Sequence, residues 1–154
     1  MKVLLLLAAL IMAFGSIQIQ GSITQLKEMI QRKIGKVDVF KYMYYGCHCG
    51  LGGGGIPKDA TDWCCFAHDC CYDRLEDLTC GTKSLDYRFD YLWGQIICSV
   101  NDDFCAQQLC KCDKILVECF ARNKQTYNWL HLLYTSKSCK EKSPSCSENR
   151  SLVI

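Results

Sequence analysis

Apolar side chains at Ile23, Leu26, Met29 and Ile30 recur at three- and four-residue steps, the spacing that lines one face of an α-helix. The pattern predicts a short amphipathic helix over residues 22–33, with Ser22 as its N-cap and Gly35 as its stop. Ahead of it, Val3 to Phe14 is an apolar run behind the single basic residue Lys2. Such a run is shorter than the roughly 20 residues a helix needs to cross a bilayer, and it reads as a secretory signal peptide over residues 1–21. Two cleavage points fit. Ala13-Phe14-Gly15 obeys the small-x-small rule, and cleavage after Gly21 would start the mature chain at Ser22.

Periodicity then breaks. Residues 46–57, GCHCGLGGGGIP, hold six glycines among twelve positions, which predicts a loop whose backbone can approach a ligand closely. Asp59, with Asp62 three residues on, predicts the start of a second helix running to about Leu75. A third long helix is expected from Asp102 or Asp103 to Asn123. Between them, Leu85 to Phe89 and Gln95 to Ser99 suggest a small hairpin with Gly94 in its turn. There is no internal repeat, and a short tail, 147–154, follows the last cysteine.

Cysteine content changes this outline. All 14 cysteines lie between Cys47 and Cys146, and such density behind a signal peptide indicates a disulfide framework in an oxidising compartment. No Cys-x-x-Cys pair occurs, which argues against zinc. Cys64 and Cys71 are seven apart on the second helix, and Cys112 and Cys119 are seven apart on the third. Equal spans allow two bridges between antiparallel helices, Cys64 to Cys119 and Cys71 to Cys112, although spacing alone leaves the connectivity open. Charge adds an exclusion. Without residues 1–21 the chain has 17 Lys and Arg against 16 Asp and Glu, too little excess for a strongly cationic nucleic-acid or anionic-surface binder.

The expected seam between the two bridged helices holds candidate chemistry. His68 lies between Cys64 and Cys71, and Asp113 follows Cys112, so both point into the seam. A histidine whose second ring nitrogen meets a carboxylate is fixed in one tautomer and made more basic. Tyr72, one turn beyond His68, could donate to that carboxylate. Asp69 next to His68 suits a hard cation, because calcium takes carboxylate and main-chain oxygens. The carbonyls of His48, Gly50 and Gly52 could face Asp69 if the loop folds over the helix. The plainer alternatives are a histidine packed between disulfides and an ordinary helix aspartate beside a flexible loop.

Three motifs carry a resemblance. Residues 64–71, Cys-Cys-Phe-Ala-His-Asp-Cys-Cys, look like the histidine motif of the secreted phospholipase A2 family. Residues 109–119, Leu-Cys-Lys-Cys-Asp-Lys-Ile-Leu-Val-Glu-Cys, look like its aspartate motif, and Tyr45 to Gly53 resembles its calcium loop. The match covers about residues 22–146, and the terminal Cys146 is similar to the group II branch, nearest its synovial-type enzymes. The resemblance implies a mainly α, disulfide-rich domain over 22–146. It would have two long antiparallel cross-linked helices, an N-terminal helix, a calcium loop and a small β-hairpin. It implies calcium-dependent hydrolysis of the sn-2 ester of glycerophospholipids. His68 would activate water, Asp113 would orient it, and Tyr72 and Tyr87 would hold Asp113. Asp69 and the carbonyls of His48, Gly50 and Gly52 would bind one calcium ion. Ile23, Leu26, Ile30 and Leu51 would line or rim an acyl channel. Seven bridges follow by the same resemblance: Cys47–Cys139, Cys49–Cys65, Cys64–Cys119, Cys70–Cys146, Cys71–Cys112, Cys80–Cys105 and Cys98–Cys110. The implied setting is extracellular and the implied partner a phospholipid membrane surface met peripherally. A cell-surface receptor or proteoglycan is a further expected partner, a monomer the expected state, and cleavage after Gly21 the favoured one.

Two departures from that branch matter. Synovial-type relatives are strongly basic, whereas this chain is nearly neutral, with Gly54 where a base is common. Trp129-Leu130-His131-Leu132-Leu133-Tyr134 is apolar where bases are usual, and it either anchors at a zwitterionic interface or packs on the body. Weaker discrimination in favour of anionic vesicles is therefore expected. Asn149-Arg150-Ser151 is a glycosylation sequon.

Overall fold

A computed structural model describes residues 21–35, 39–50, 53–134 and 136–147. The leader Val3–Phe14, Gly15, Leu51, Gly52 and the Asn149 sequon lie outside the described residues. The helices are α1 (Gly21–Ile34), a single turn α2 (Phe40–Met43), α3 (Ala60–Asp77) and α4 (Phe104–Arg122). One hairpin, β1 (Phe89–Leu92) with β2 (Gln95–Cys98), stands between α3 and α4, and three short 3₁₀ turns follow α4.

Local chemistry accounts for the boundaries. The Asp59 carboxylate accepts from Asp62 N–H at 3.0 Å and opens α3, as expected. Asp103, not Asp102, opens α4 by accepting from Ala106 N–H at 2.9 Å. Asp102 instead takes the Arg88 N–H and Nε–H, each at 2.7 Å. Ser22 is not a cap. It lies inside α1, and its hydroxyl crosses to the Thr82 carbonyl at 3.3 Å, which pins the helix start to the loop after α3.

α3 runs two residues past Leu75 and ends without a glycine. Cys80 N–H bonds the Leu75 carbonyl at 2.9 Å and Thr79 N–H bonds the Glu76 carbonyl at 2.8 Å, the pattern of a Schellman stop. Thr79 occupies the left-handed position of that stop, at φ 61°. The hairpin also differs from expectation. Phe89 pairs with Cys98 and Leu92 with Gln95, so the first strand begins where it was expected to end. In the segment before β1, the Tyr87 hydroxyl reaches Asp113 and Asp102 takes the Arg88 N–H, while the Arg88 carbonyl still accepts from Ser99 N–H at 2.9 Å. Trp93 and Gly94 both have positive φ and form a two-residue turn.

The core lies where α1 crosses α4 and α3 runs beside it. Met29, Ile30 and Ile34 pack with Leu109, Leu116, Val117 and Phe120, and Tyr42, Tyr45, Tyr87 and Ile96 close the cluster. The bridges are the seven that the resemblance implied. Cys64–Cys119 and Cys71–Cys112 join α3 to α4 with Cα separations of 5.8 Å each, which fixes the antiparallel register.

Thr79 gives a direct test of the α3 stop. A left-handed non-glycine residue costs about 1–2 kcal/mol, and glycine returns part of that gain as chain entropy. Thr79→Gly is therefore expected to stabilise the oxidised protein by about 0.5–1 kcal/mol in denaturant unfolding. A lower unfolding midpoint would contradict this account of the helix stop.

Candidate active site

The seam between α3 and α4 contains one carboxylate with three donors. Asp113 is 0 % exposed. Its Oδ1 meets His68 Nε2 at 2.7 Å and accepts the Tyr72 hydroxyl at 2.7 Å. Its Oδ2 accepts the Tyr87 hydroxyl at 2.6 Å. These residues come from three places: His68 and Tyr72 from successive turns of α3, Asp113 from α4, and Tyr87 from the segment before β1. Burial raises the phenol pKa of both tyrosines, and the neighbouring Asp113 charge and hydrogen bonds raise it further. Both hydroxyls therefore stay protonated and donate. A carboxylate accepts only, so the His68 nitrogen facing Asp113 carries a proton and Nδ1 is left with the lone pair. The ring of His68 also lies 4.2 Å, centroid to centroid, from that of Tyr72.

Asp69, next to His68 on α3, faces the glycine loop, and its side chain is 39 % exposed. His48 Nδ1 is 3.5 Å from Asp69 Oδ2, and His48 Nε2 meets the Gly55 carbonyl at 2.8 Å. The buried imidazole thus ties the outgoing and returning limbs of the loop together. Burial pulls the His48 pKa down, but the Asp69 contact, the Gly55 carbonyl and the Asp62 charge together leave it raised. Gly53 closes over the pair. A Cβ there would stand 2.5 Å from His48 Nδ1 and 3.0 Å from Asp69 Oδ2. No group of three or more His, Cys, Asp or Glu side chains converges as a metal site among the described residues. The oxygen donors here are one carboxylate and a glycine-rich main chain, a set that suits a hard cation such as calcium.

A second buried carboxylate sets the loop, and the sequence reading missed it. Asp62 is 0 % exposed. Its oxygens accept from Cys47 N–H at 2.7 Å, His48 N–H at 2.8 Å and Lys58 N–H at 2.8 Å. Gly46 lies directly on it at φ 60°, and a Cβ there would collide with the carboxylate. In sequence Asp62 looked like a capping residue, which hid its tertiary role. Tyr45, Asp59 and His131 form a further cluster that sequence gave no cue to. Tyr45 donates its hydroxyl to Asp59 Oδ2, and His131 Nδ1 lies 3.0 Å from the same oxygen.

The predicted site residues thus fall into two groups. His68, Asp113, Tyr72 and Tyr87 converge directly. His48, Gly50 and Asp69 belong to the loop side, where Gly52 lies outside the described residues. On α1, Ile23 and Leu26 are half-buried and Ile30 is fully in the core.

This geometry agrees with the relationships of the chain. Residues 23–132 match the family model described as Phospholipase A2, and the chain belongs to that family. It is a secreted enzyme of this type, a phospholipase A2. It is 61 % identical over 146 residues to a rat protein named "Phospholipase A2, membrane associated", covering 95 % of this chain and 100 % of the relative. The human protein of that name is 51 % identical over the same shares. The human "Group IID secretory phospholipase A2" is 46 % identical over 143 residues, 93 % of this chain and 99 % of the relative.

Asp62→Asn tests the loop anchor. An amide offers one accepting oxygen to three main-chain donors and points an N–H₂ at them. A loss of about 2–3 kcal/mol in unfolding free energy is expected. An unchanged denaturation midpoint would show that the loop is held by other contacts.

Proposed function

We propose that His68, held by Asp113, is the general base of sn-2 ester hydrolysis and that Asp69 belongs to the calcium site. The observation that carries the first assignment is the 2.7 Å contact between His68 Nε2 and a fully buried carboxylate. With Nε2 so occupied, Nδ1 is the atom that takes a proton from water as the water attacks the sn-2 carbonyl. The developing imidazolium is stabilised by Asp113, whose position is held by the hydroxyls of Tyr72 and Tyr87. His68 then returns its proton from Nδ1 to the leaving alkoxide. The products are a free fatty acid and a lysophospholipid, with no covalent acyl-enzyme. General-base assistance of this kind contributes about 100- to 10,000-fold.

Asp69 and the main-chain carbonyls of His48, Gly50 and Gly52 would hold the calcium ion. The support is the donor set: an exposed-edge carboxylate, and a glycine at 53 where any side chain would fill the space over it. Calcium bound there would supply Lewis-acid stabilisation of the oxyanion and a grip on the substrate phosphate. The loop's own contribution is rigidity, through Asp62 beneath it and His48 across it.

Association with the membrane would be peripheral, and no described helix is long and apolar enough to cross one. Ile23 and Leu26, half-buried on α1, suit the wall of an acyl channel. Pairing of all 14 cysteines within the chain leaves none for an intermolecular bridge, in keeping with a monomer. A cell-surface receptor remains part of the proposal, whereas the small net charge gives a polyanionic proteoglycan little to hold.

His68→Gln should lower calcium-dependent release of sn-2 fatty acid from phospholipid vesicles by at least about 100-fold. Asp113→Asn should lose activity in the same range, because an amide no longer dictates the tautomer. Chelation of calcium should abolish turnover of the wild type. Undiminished release by His68→Gln would remove His68 from the reaction.

A further inference from the structure

The segment after α4 turns its two kinds of residue opposite ways. His131 faces inward, and Leu132 is partly buried. The His131 ring meets Asp59 and Tyr45, and Leu132 forms a β-bridge with Tyr45. Trp129, Leu130 and Leu133 face outward and are 60 %, 81 % and 60 % exposed. Packing on the body, one of the two readings open from sequence, therefore accounts for the first pair and not for the other three. Leu133 N–H bonds the Tyr44 carbonyl at 2.8 Å, which brings the segment beside α2. There Phe40 and Tyr44 are each close to half exposed, with ring centroids 4.6 Å apart.

Five large apolar side chains thus share one face, and lysines stand at its rim. Lys41 Nζ sits 4.5 Å from the centroid of the Trp129 ring, and Lys58 Nζ 5.9 Å from that of Tyr134. Amphipathic rings and leucines bordered by ammonium groups match the region where acyl chains meet phosphates. The face is also continuous with the candidate site. Gly46 N–H bonds the His131 carbonyl at 2.8 Å, and Tyr45 bridges both Leu132 and Cys49 of the calcium loop.

We infer that Trp129, Leu130 and Leu133, with Phe40 and Tyr44, form an apolar anchor that seats the enzyme on zwitterionic, phosphatidylcholine-rich bilayers. The inference rests on the phospholipase A2 reading for its occupant, since the substrate of that enzyme lies in a bilayer. It goes further in naming where this chain docks and by which force. Docking by apolar contact needs no anionic lipid, which agrees with 17 bases against 16 acids outside residues 1–21.

The test separates docking from catalysis. Binding is measured by co-sedimentation with vesicles of non-hydrolysable diether phosphatidylcholine, and turnover on dispersed short-chain phosphatidylcholine below its micelle concentration. The wild type is expected to bind these vesicles, and the double variant Trp129→Ala with Leu130→Lys to bind at least tenfold more weakly. Its turnover on dispersed substrate should stay within twofold of wild type. Leu133→Ser, a separate exposed position, should weaken vesicle binding in the same direction. Vesicle binding unchanged in both variants would overturn the proposal, as would wild-type binding that requires anionic lipid. Loss of the dispersed-substrate activity in the wild type would instead count against the hydrolytic reading, and the vesicle result would stand apart from it.

Discussion

Asp113 is a carboxylate without solvent, and its burial is tolerable because three donors converge on it from separate elements. An unpaired charge in such a place would cost several kcal/mol. Each partner is therefore held in position by the need of the others. Removing the tyrosines would leave Asp113 short of donors, and removing Asp113 would leave His68 free to rotate and change tautomer. The site depends on this one satisfied carboxylate more than on any single catalytic side chain.

The disulfides let that arrangement persist in a small domain. Cys64–Cys119 and Cys71–Cys112 lie on either side of His68 along α3 and fix the register of α3 against α4. Since Asp113 is adjacent to Cys112, its distance from His68 is set largely by covalent geometry. Cys49–Cys65 performs a similar service for the loop, bringing it over the start of α3. There Asp62 repeats the solution used by Asp113, with main-chain N–H groups as donors in place of side chains. Two buried carboxylates thus organise the two halves of the proposed site, the His68 side and the glycine-loop side.

Much of this was legible from sequence because it is local or covalent. Helical spacing put Cys64, His68 and Cys71 on one face, and Cys112 fixed where Asp113 must go. The cap at Asp59 could be read from a three-residue interval. What could not be read depends on contacts distant in sequence. Ser22 resembles a cap, yet its hydroxyl bonds Thr82, sixty positions away. Asp62 sits where a first-turn acid is common, which masks its bonds to the loop. The α3 stop falls two residues past the expected Leu75, and no glycine marks it because a threonine takes the left-handed position. The first strand was placed too early because the Tyr87 hydroxyl turns to Asp113 and the Arg88 N–H to Asp102, contacts distant in sequence. Whether Trp129 faces in or out was likewise undetermined until His131 was seen to occupy the inward position.

The central claim is that Asp113 locks His68 with a proton on Nε2 and a lone pair on Nδ1. Nitrogen-15 NMR of the histidine ring, recorded on the oxidised wild type at a pH where the ring is neutral, reads this directly. The account predicts a protonated, pyrrole-like Nε2 and a pyridine-like Nδ1 for His68, with the preference weakened in Asp113→Asn. A neutral His68 protonated on Nδ1 in the wild type would contradict it.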